Sequence, residues 1–333
     1  MTSVTVIGLG RIGAANDFAD GTVPRSHLGA LLAGGFDVQG LVDPSPEARA
    51  AVVGRWPELA SVPAAATLSE LGRPAADVIV LATPPEGRLA QVGAILDLGP
   101  KVLVVEKPFA NTVSEAEKIM QAAGRSGCAV RVNFHRRLDA AHVAAREEMR
   151  RAGTPVKVVM SYGKGLLNYG SHLVDFLVDW FGPVARVEAF GAPDAQNPSF
   201  CCHMDAGFEA VVIGMDGLAF DEFEIVVSAP RKRFSFYSGG IEQYRRTAVP
   251  DRIYPGYVQL GAPELLAPPR PVAGLSDLYS AIAAYLKHGV ALPGCPPRDA
   301  WHGMAVLDAV MQSIKNGGRA VSLRSHTVQQ ENA

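Results

Sequence analysis

The stretch Val4-Thr5-Val6-Ile7-Gly8-Leu9-Gly10-Arg11-Ile12-Gly13 is an apolar run that ends in three glycines at G-x-G-x-x-G spacing. A buried strand that feeds such a turn and then a helix lets the backbone approach a pyrophosphate and sets the helix N-terminus against its charge. An ordinary strand-to-helix turn is the alternative, and the downstream pattern argues against it. Short apolar runs recur at 38–42, 78–81, 102–105 and 129–132. They are closed in turn by Asp43, by Ala82-Thr83-Pro84-Pro85, by Glu106-Lys107-Pro108 and by Asn133. Stretches 45–53, 86–98 and 114–126 read as helices between them, and Ser114 with Glu117 has capping-box spacing. Parallel strands buried on both faces have this continuous apolar character. Residues 1–130 are therefore expected to form an α/β dinucleotide-binding domain around a doubly wound, Rossmann-type parallel sheet. Ligands of such a sheet bind at the carboxyl ends of its strands, where each of these polar or glycine-rich signals falls.

Residues 131–324 have a different character. Helices are expected at 140–151, 169–181, 275–288 and 299–315, with a strand at 156–161. The short alternating apolar segments between 184 and 237 suit a mainly antiparallel sheet in an α+β domain for substrate binding and oligomerisation. Residues 250–272, rich in Pro and Gly, read as a long connection, and 325–333 as a polar tail.

The bulk numbers narrow the function. Lysine and arginine total 31 against 33 acidic residues, a formal charge of −2, which lacks the basic footprint of a nucleic-acid binder. A chain of 333 residues with 48% hydrophobic and 19% charged residues can bury two cores. No basic leader precedes the first strand, and no apolar run approaches the roughly 18 residues of a membrane span. The four cysteines lack C-x-x-C spacing, so neither a metal site nor a disulfide framework is expected. A cytoplasmic enzyme with a small-molecule substrate, and no nucleic-acid or membrane partner, fits these properties.

Asp43 closes the second strand. A carboxylate there accepts hydrogen bonds from the adenosine ribose and repels the 2′-phosphate of NADP. Pro44-Ser45-Pro46 supplies no arginine for such a phosphate, and Arg49 comes a turn later, so NAD is expected in preference to NADP. A helix N-cap is the other role open to Asp43, and the two can coexist. The interval from Gly13 to Asp43 is 43 − 13 = 30 residues, against about 20 in a minimal unit. The excess is assigned to the turn-rich segment 16–24, either an inert loop or a substrate contact near the cofactor mouth.

The segment Val104-Val105-Glu106-Lys107-Pro108-Phe109, the glycine loop and Gly170-Ser171-His172-Leu173-Val174-Asp175 together resemble the glucose-fructose oxidoreductase, inositol dehydrogenase and MocA (Gfo/Idh/MocA) family. The resemblance extends over nearly the whole chain. It implies that the E-K-P motif lies beside the nicotinamide and that its lysine serves the reacting hydroxyl or ketone. Gly8, Gly10, Arg11, Ile12, Gly13, Asp43, Ala82, Thr83, Pro84, Glu106 and Lys107 are the cofactor contacts expected from strand ends and motifs together. The second family motif, similar to G-G-x-L-x-D-x-G-x-H, reads Lys164-Gly165-Leu166-Leu167-Asn168-Tyr169-Gly170-Ser171-His172, with asparagine where the family commonly has aspartate.

The chemistry is consistent with that resemblance. Oxidation of an alcohol requires a proton to leave oxygen as hydride leaves carbon, and a lysine and a histidine at the hydroxyl can share that work. Lys107 and His172 are the expected catalytic pair; a surface lysine and a structural histidine are the plainer alternatives. Asn168 and His172 are four apart, which places them on one face if the segment is helical. An amide cannot take a proton at neutral pH, so Asn168 is expected to orient substrate. Asn133-Phe134-His135-Arg136-Arg137 resembles the family segment that crosses the nicotinamide side of the site. Asn133 and Arg136 are expected to contact substrate, with Arg136 or Arg137 binding an acidic sugar or phosphate unless spent on an interdomain salt bridge. Asp175 and Asp179 read as solvated or capping residues, and His135, His203 and His302 have no assigned role. The expectation is an NAD-dependent oxidoreductase acting on a sugar, nucleotide sugar or polyol, assembled as a homodimer or homotetramer through the open face of its second sheet. A tightly held, internally recycled NAD that supports isomerisation or elimination, and a non-catalytic dinucleotide sensor, are the competing readings.

Overall fold

The computed structural model describes residues 1–17, 23–72, 74, 76–268 and 274–323. Its elements in the first part of the chain are β1 (Ser3–Ile7), α1 (His27–Ala33), β2 (Asp37–Val42), α2 (Pro46–Arg55), β3 (Ala64–Ala65), α3 (Leu68–Leu71), β4 (Val78–Leu81), α4 (Arg88–Leu96), β5 (Val102–Val105), α5 (Val113–Ser126) and β6 (Ala129–Val132). The six strands form one sheet in the order β3-β2-β1-β4-β5-β6, and every pairing is parallel. All residues of β4 and β5 are buried, because their Val, Ile and Leu side chains face helices on both sides. The order reverses between β1 and β4, which creates the crevice that serves as a ligand site in such sheets.

Two local expectations are corrected. The cap of α5 is Thr112, whose hydroxyl accepts the Glu115 N–H at 3.1 Å; the helix begins one residue before Ser114, so the Ser114–Glu117 pair lies inside it. The glycine loop opens into a single π-helical turn, Arg11–Ala15, and α1 starts only at His27 behind its cap Ser26. The Asp17 carboxylate accepts the N–H groups of Arg25 and Ser26 and the Ser26 hydroxyl, drawing the two ends of this excursion together. Residues 18–22 of the segment 16–24, residues 269–272 of the Pro/Gly-rich connection and the tail 325–333 lie outside the described residues.

The later elements are α6 (Ala140–Arg151), β7 (Lys157–Tyr162), α7 (Ser171–Phe181), β8 (Val184–Phe190), β9 (Ser199–Met204), β10 (Glu209–Gly214), β11 (Phe223–Ser228), β12 (Lys232–Tyr237), β13 (Glu242–Pro250), β14 (Val258–Leu260), β15 (Glu264–Leu265), α8 (Gly274–His288), α9 (Pro297–Lys315) and β16 (Val321–Ser322). Among the described residues ten strands form the second sheet, in the order β14-β13-β12-β11-β7-β10-β9-β8-β16 with β15 beside β13. It is antiparallel except where β10 lies parallel to β7. One face is packed by Phe176 and Leu177 of α7 and by Val306 and Val310 of α9.

The chain divides into two compact units, Met1–Ala140 with Ala273–Trp301, and Ala141–Val272 with His302–Ala333. A single cut at residue 130 therefore does not describe it. Leu275, Leu278, Tyr279 and Ile282 follow helical spacing on α8 and join the core that contains Leu28 and Leu31 of α1. The apolar stripe of α8 is buried in the core of the first unit, although α8 follows all but one strand of the second sheet in sequence. Among the described residues no helix is long and apolar enough to cross a membrane.

Candidate active site

The glycine loop is shaped by close backbone approach. Gly8 has φ +91°, and a Cβ there would lie 2.6 Å from the Ala82 carbonyl oxygen; a Cβ on Gly13 would lie 1.9 Å from the Gly8 carbonyl oxygen. These two glycines let the end of β1 pack on the end of β4 and let the following turn pack on β1. At Gly10 a Cβ would meet open space, so that glycine leaves an approach to the backbone clear. Asp43 Oδ2 accepts the Leu9 N–H at 2.7 Å and Oδ1 accepts the Ser45 N–H at 2.9 Å. The cap of α2 is Ser45, which accepts the Ala48 N–H at 3.0 Å, and Asp43 instead clamps the glycine loop to the end of β2. An ionised carboxylate keeps lone pairs for further donors after two such bonds.

Gly8, Gly10, Asp43, Ala82, Thr83 and Pro84 line a cavity of about 750 Å³ whose other walls include Val42, Leu68, Ala90 and Ile95. This is the size of a pocket for a sizeable organic ligand. Arg11 and Ile12 lie in the π-helical turn, where Arg11 is exposed and its Nε donates to Asn16 Oδ1 at 3.4 Å. An open backbone approach at Gly10, a carboxylate at the strand end and an apolar wall are what a dinucleotide's pyrophosphate, ribose and adenine require. The residues present fit that group.

Glu106, at the carboxyl end of β5, is buried. His27 Nε2 lies 2.8 Å from Glu106 Oε1, the Asn133 amide donates to the same oxygen, and the Lys107 N–H donates to Oε2 at 3.1 Å. Tyr279 places its hydroxyl 2.6 Å from His27 Nδ1. With the proton of a neutral ring on Nε2, His27 donates to Glu106 and accepts from Tyr279. Burial pulls the Glu106 carboxyl upward, and donation from His27 and Asn133 outweighs it and holds the group below the ordinary carboxylate range. Arg88, fully buried, donates from Nη1 to the Glu106 carbonyl at 3.1 Å and from Nη2 to the Thr83 carbonyl at 2.7 Å, tying the ends of β4 and β5 together. Burial lowers its guanidinium to about 10, against the pull of Glu106, Glu115 and Glu86.

Lys107 follows this carboxylate, before a cis Lys107–Pro108 peptide. Burial lowers its ammonium, and Glu106 raises it in opposition while Arg136 lowers it further. His135 is pushed down to about 4 by burial and then by Arg136. Asn133 turns its amide onto Glu106, and Arg136 acts electrostatically on both Lys107 and His135. Arg137 is buried and ion-paired with Asp299 at 2.8 Å inside the first unit. No sequence signal points to His27, Arg88 and Tyr279: they come from three separate helices, and no spacing relates them to E-K-P.

In the second unit, Lys164 (φ +57°) and Gly165 (φ +88°) lead into a π-helical turn, Leu166–Gly170, and α7 begins at Ser171. Four-residue helical spacing therefore does not relate the two candidate side chains of this segment, which corrects the expectation of a shared face. Asn168 lies in the π-helical turn and is exposed, whereas His172 is buried in the first turn of α7. The Gly165 carbonyl accepts both the Asn168 and Gly170 N–H groups, at 3.2 and 3.3 Å, and the Ser171 hydroxyl donates to the Asn168 carbonyl at 2.7 Å. Asn197 Oδ1 accepts the Gly165 N–H at 2.6 Å, and its amide donates to the Met215 carbonyl at 3.1 Å and to Asp216 at 2.5 Å. Asn197 and Asp216 thus hold the turn, and nothing in their spacing announces it. Asp175 is buried rather than solvated, and Asp179 pairs with Arg146 at 2.9 Å. His302 Nε2 accepts the Val184 N–H at 2.9 Å, a structural role. Lys107, Asn133 and Arg136 belong to the first unit, and Asn168 and His172 to the second. Among the described residues no three His, Cys, Asp or Glu side chains are grouped to hold a metal ion.

The lowered His135 carries a stability consequence. Between its ordinary value of 6.5 and its folded value of about 4, the unfolded chain binds a proton that the folded chain does not, so stability falls as pH drops through that window and levels off below it. Thermal midpoints measured from pH 7 to pH 4 should decline, and His135→Gln should flatten the decline. An unchanged slope in the variant would assign the loss to other groups.

Residues 2–134 match the family model described as "Oxidoreductase family, NAD-binding Rossmann fold". No curated protein matches the chain in sequence. Among solved structures, the fold is similar to the WlbA dehydrogenase of Bordetella pertussis in complex with NADH and UDP-GlcNAcA, at TM-score 0.74 and 18% identity over 97% of this chain and 98% of that one. An oxidoreductase of Agrobacterium radiobacter in complex with NAD+, L-tartaric acid and magnesium is similar at TM-score 0.71 and 17% identity over 96% and 98%. The super-repressor mutant of Gal80p from Saccharomyces cerevisiae is similar at TM-score 0.76 and 17% identity over 96% and 97%. Likeness at these identities establishes the fold, and it joins dehydrogenases and a repressor alike. Over residues 2–134 the chain is similar to the NAD-binding Rossmann domain of the Gfo/Idh/MocA oxidoreductase family.

Proposed function

We propose that the protein is an NAD-dependent dehydrogenase or reductase that interconverts a hydroxyl and a ketone on a sugar, nucleotide sugar or polyol. The observation that carries this reading is Lys107, a partly desolvated lysine of lowered pKa at a strand's carboxyl end, in the same unit as the glycine cradle and Asp43. A bound nicotinamide supplies the hydride acceptor or donor. Lys107 and His172 take the hydroxyl proton as hydride leaves the carbinol carbon, and return it in reduction. Asn168, exposed at the head of α7, orients the substrate by hydrogen bonds. Arg136, whose field reaches Lys107, suits an acidic group on the substrate; a sugar acid such as the UDP-GlcNAcA held by the Bordetella protein is one candidate. A cytoplasmic location is part of the proposal.

Lys107→Ala should lower turnover by at least a few hundredfold while leaving NADH affinity nearly intact, as expected when a transition-state interaction is lost, and His172→Ala should follow with a smaller loss. The assay is NAD-linked absorbance against a panel of sugars, polyols and nucleotide sugars. A near-normal rate in either variant removes that residue from the mechanism.

NAD is the proposed cofactor in preference to NADP. Asp43 supplies the carboxylate, and the Arg49 guanidinium donates to the Asp43 carbonyl at 2.5 Å rather than standing free for a phosphate. Fluorescence titration should show tighter binding of NADH than of NADPH. Asp43→Ala should weaken both, because it also releases the Leu9 N–H, but should narrow the ratio between them. Equal affinities in the unaltered protein would overturn the assignment.

The open face of the ten-stranded sheet is the proposed homodimer or homotetramer interface. Cys201, Val211, Val159 and Val226 stand in one register across β9, β10, β7 and β11, and Val159 is 39% exposed. Light scattering should report more than one subunit, and Val159→Asp should shift the mass toward the monomer. A monomeric unaltered protein would exclude the assembly.

A further inference from the structure

We infer that His27 is a positioning residue that keeps the buried Glu106 carboxylate ionised, so that Lys107 works beside a fixed negative charge. The inference rests on the proposed proton-handling role of Lys107 for its meaning in turnover, and on geometry alone for its claim about the two side chains. His27 is fully buried, and both of its ring nitrogens are engaged, Nε2 by Glu106 Oε1 at 2.8 Å and Nδ1 by the Tyr279 hydroxyl at 2.6 Å. Tyr279 is also fully buried and stands edge-on to the His27 ring, with centroids 5.9 Å apart. The imidazole is therefore locked in orientation from α1 and α8, with one N–H aimed at the carboxylate.

Among the described residues, several elements of the unit bring groups to Glu106. From α1 comes His27; from α8, Tyr279; from the end of β6, Asn133 on Oε1, with His135 and Arg136 beyond it. Arg88 of α4 binds the Glu106 carbonyl, and Lys107 gives its own N–H to Oε2. A buried carboxylate without donors takes up a proton, because burial in low dielectric disfavours the charged form. The side-chain donors to Glu106 are His27 and Asn133. Loss of the His27 N–H leaves only the Asn133 amide and the Lys107 N–H of these donors against the whole cost of burial, and Glu106 then turns neutral in the working pH range. Lys107 would lose its opposing anion while keeping burial and Arg136, the two influences that lower its pKa. The inferred consequence of losing His27 is a further fall in the Lys107 pKa.

The test reads Lys107 directly. The pH dependence of acetic anhydride labelling at Lys107, followed by mass spectrometry with NADH bound, gives its pKa without reference to turnover. Glu106→Gln and His27→Phe should each lower that pKa by about one unit or more, whereas His27→Gln, which retains an N–H near the position of Nε2, should stay close to the unaltered protein. If Glu106→Gln lowers it and His27→Phe does not, or if Phe and Gln at position 27 lower it equally, His27 acts only through packing and the inference is overturned. A second measurement needs no variant at position 27: the carboxyl carbon shift of Glu106 in the unaltered protein should show it ionised throughout the ordinary carboxylate range. Titration above that range overturns the inference even if His27→Phe does not fold. If the labelling pKa moves as expected while the pH profile of turnover does not, the positioning role of His27 stands and Lys107 is not the group that limits turnover.

Discussion

A carboxylate buried at the end of an interior strand is the constraint around which this corner of the first unit is arranged. An isolated buried charge costs several kcal/mol, and breaking a buried charged pair by removing one partner costs about 3–5 kcal/mol. Glu106 is tolerated only because separate elements bring donors to it: His27 from α1, backed by Tyr279 from α8, and Asn133 from the end of β6. Arg88 fixes the same residue from the other side through its carbonyl. The ends of β4 and β5 are thereby tied together at the place where a Rossmann sheet binds its ligand. Lys107 inherits a defined backbone position and an electrostatic setting from this arrangement.

The cofactor cradle follows a similar economy with backbone atoms in place of charges. Gly8 and Gly13 are needed because carbonyl oxygens occupy the space of a side chain, whereas a Cβ on Gly10 would meet open space. Asp43 holds the loop from the end of β2 by accepting the Leu9 N–H. The carboxylate proposed to select NAD is therefore also part of the loop's support. Its removal releases the Leu9 N–H and so would act on loop geometry as well as on the proposed recognition.

The second unit uses a different device. A π-helical turn between Gly165 and Ser171 puts Asn168 in solvent while His172, four residues later, is buried. Insertions of this kind shift side chains off the α-helical stripe and recur at functional sites. Asn197 and Asp216 secure the turn from the sheet side. Asp175 and Asp179 do not behave as surface acids of the helix that follows: the first is buried and the second is paired with Arg146.

Much of this was legible in the residues alone. Apolar runs of four or five residues closed by Gly8, Asp43, Thr83, Glu106 and Asn133 determined the parallel sheet and placed its ligand side, because both the buried strand and the polar residue that ends it are local features. The alternating segments after residue 184 likewise announced an antiparallel sheet, since a period of two is written into neighbouring residues. Local pattern could not report partners distant in sequence. The partnership of His27, Glu106 and Tyr279 spans separations of 79 and 252 residues; the return of α8 to the first unit depends on which apolar stripe it meets. The π-helical turns at Arg11–Ala15 and Leu166–Gly170 differ from α-helix by one residue of hydrogen-bond register, which side-chain pattern does not encode. Sequence marked five of the six strands of the first sheet, the glycine loop and the candidate acid–base residues, but not β3, nor β14 and β15 within the stretch read as a connection. Tertiary structure alone decided which carboxylate is buried, which donors hold it charged and whether Asn168 shares a helical face with His172, because each depends on groups brought together only by folding.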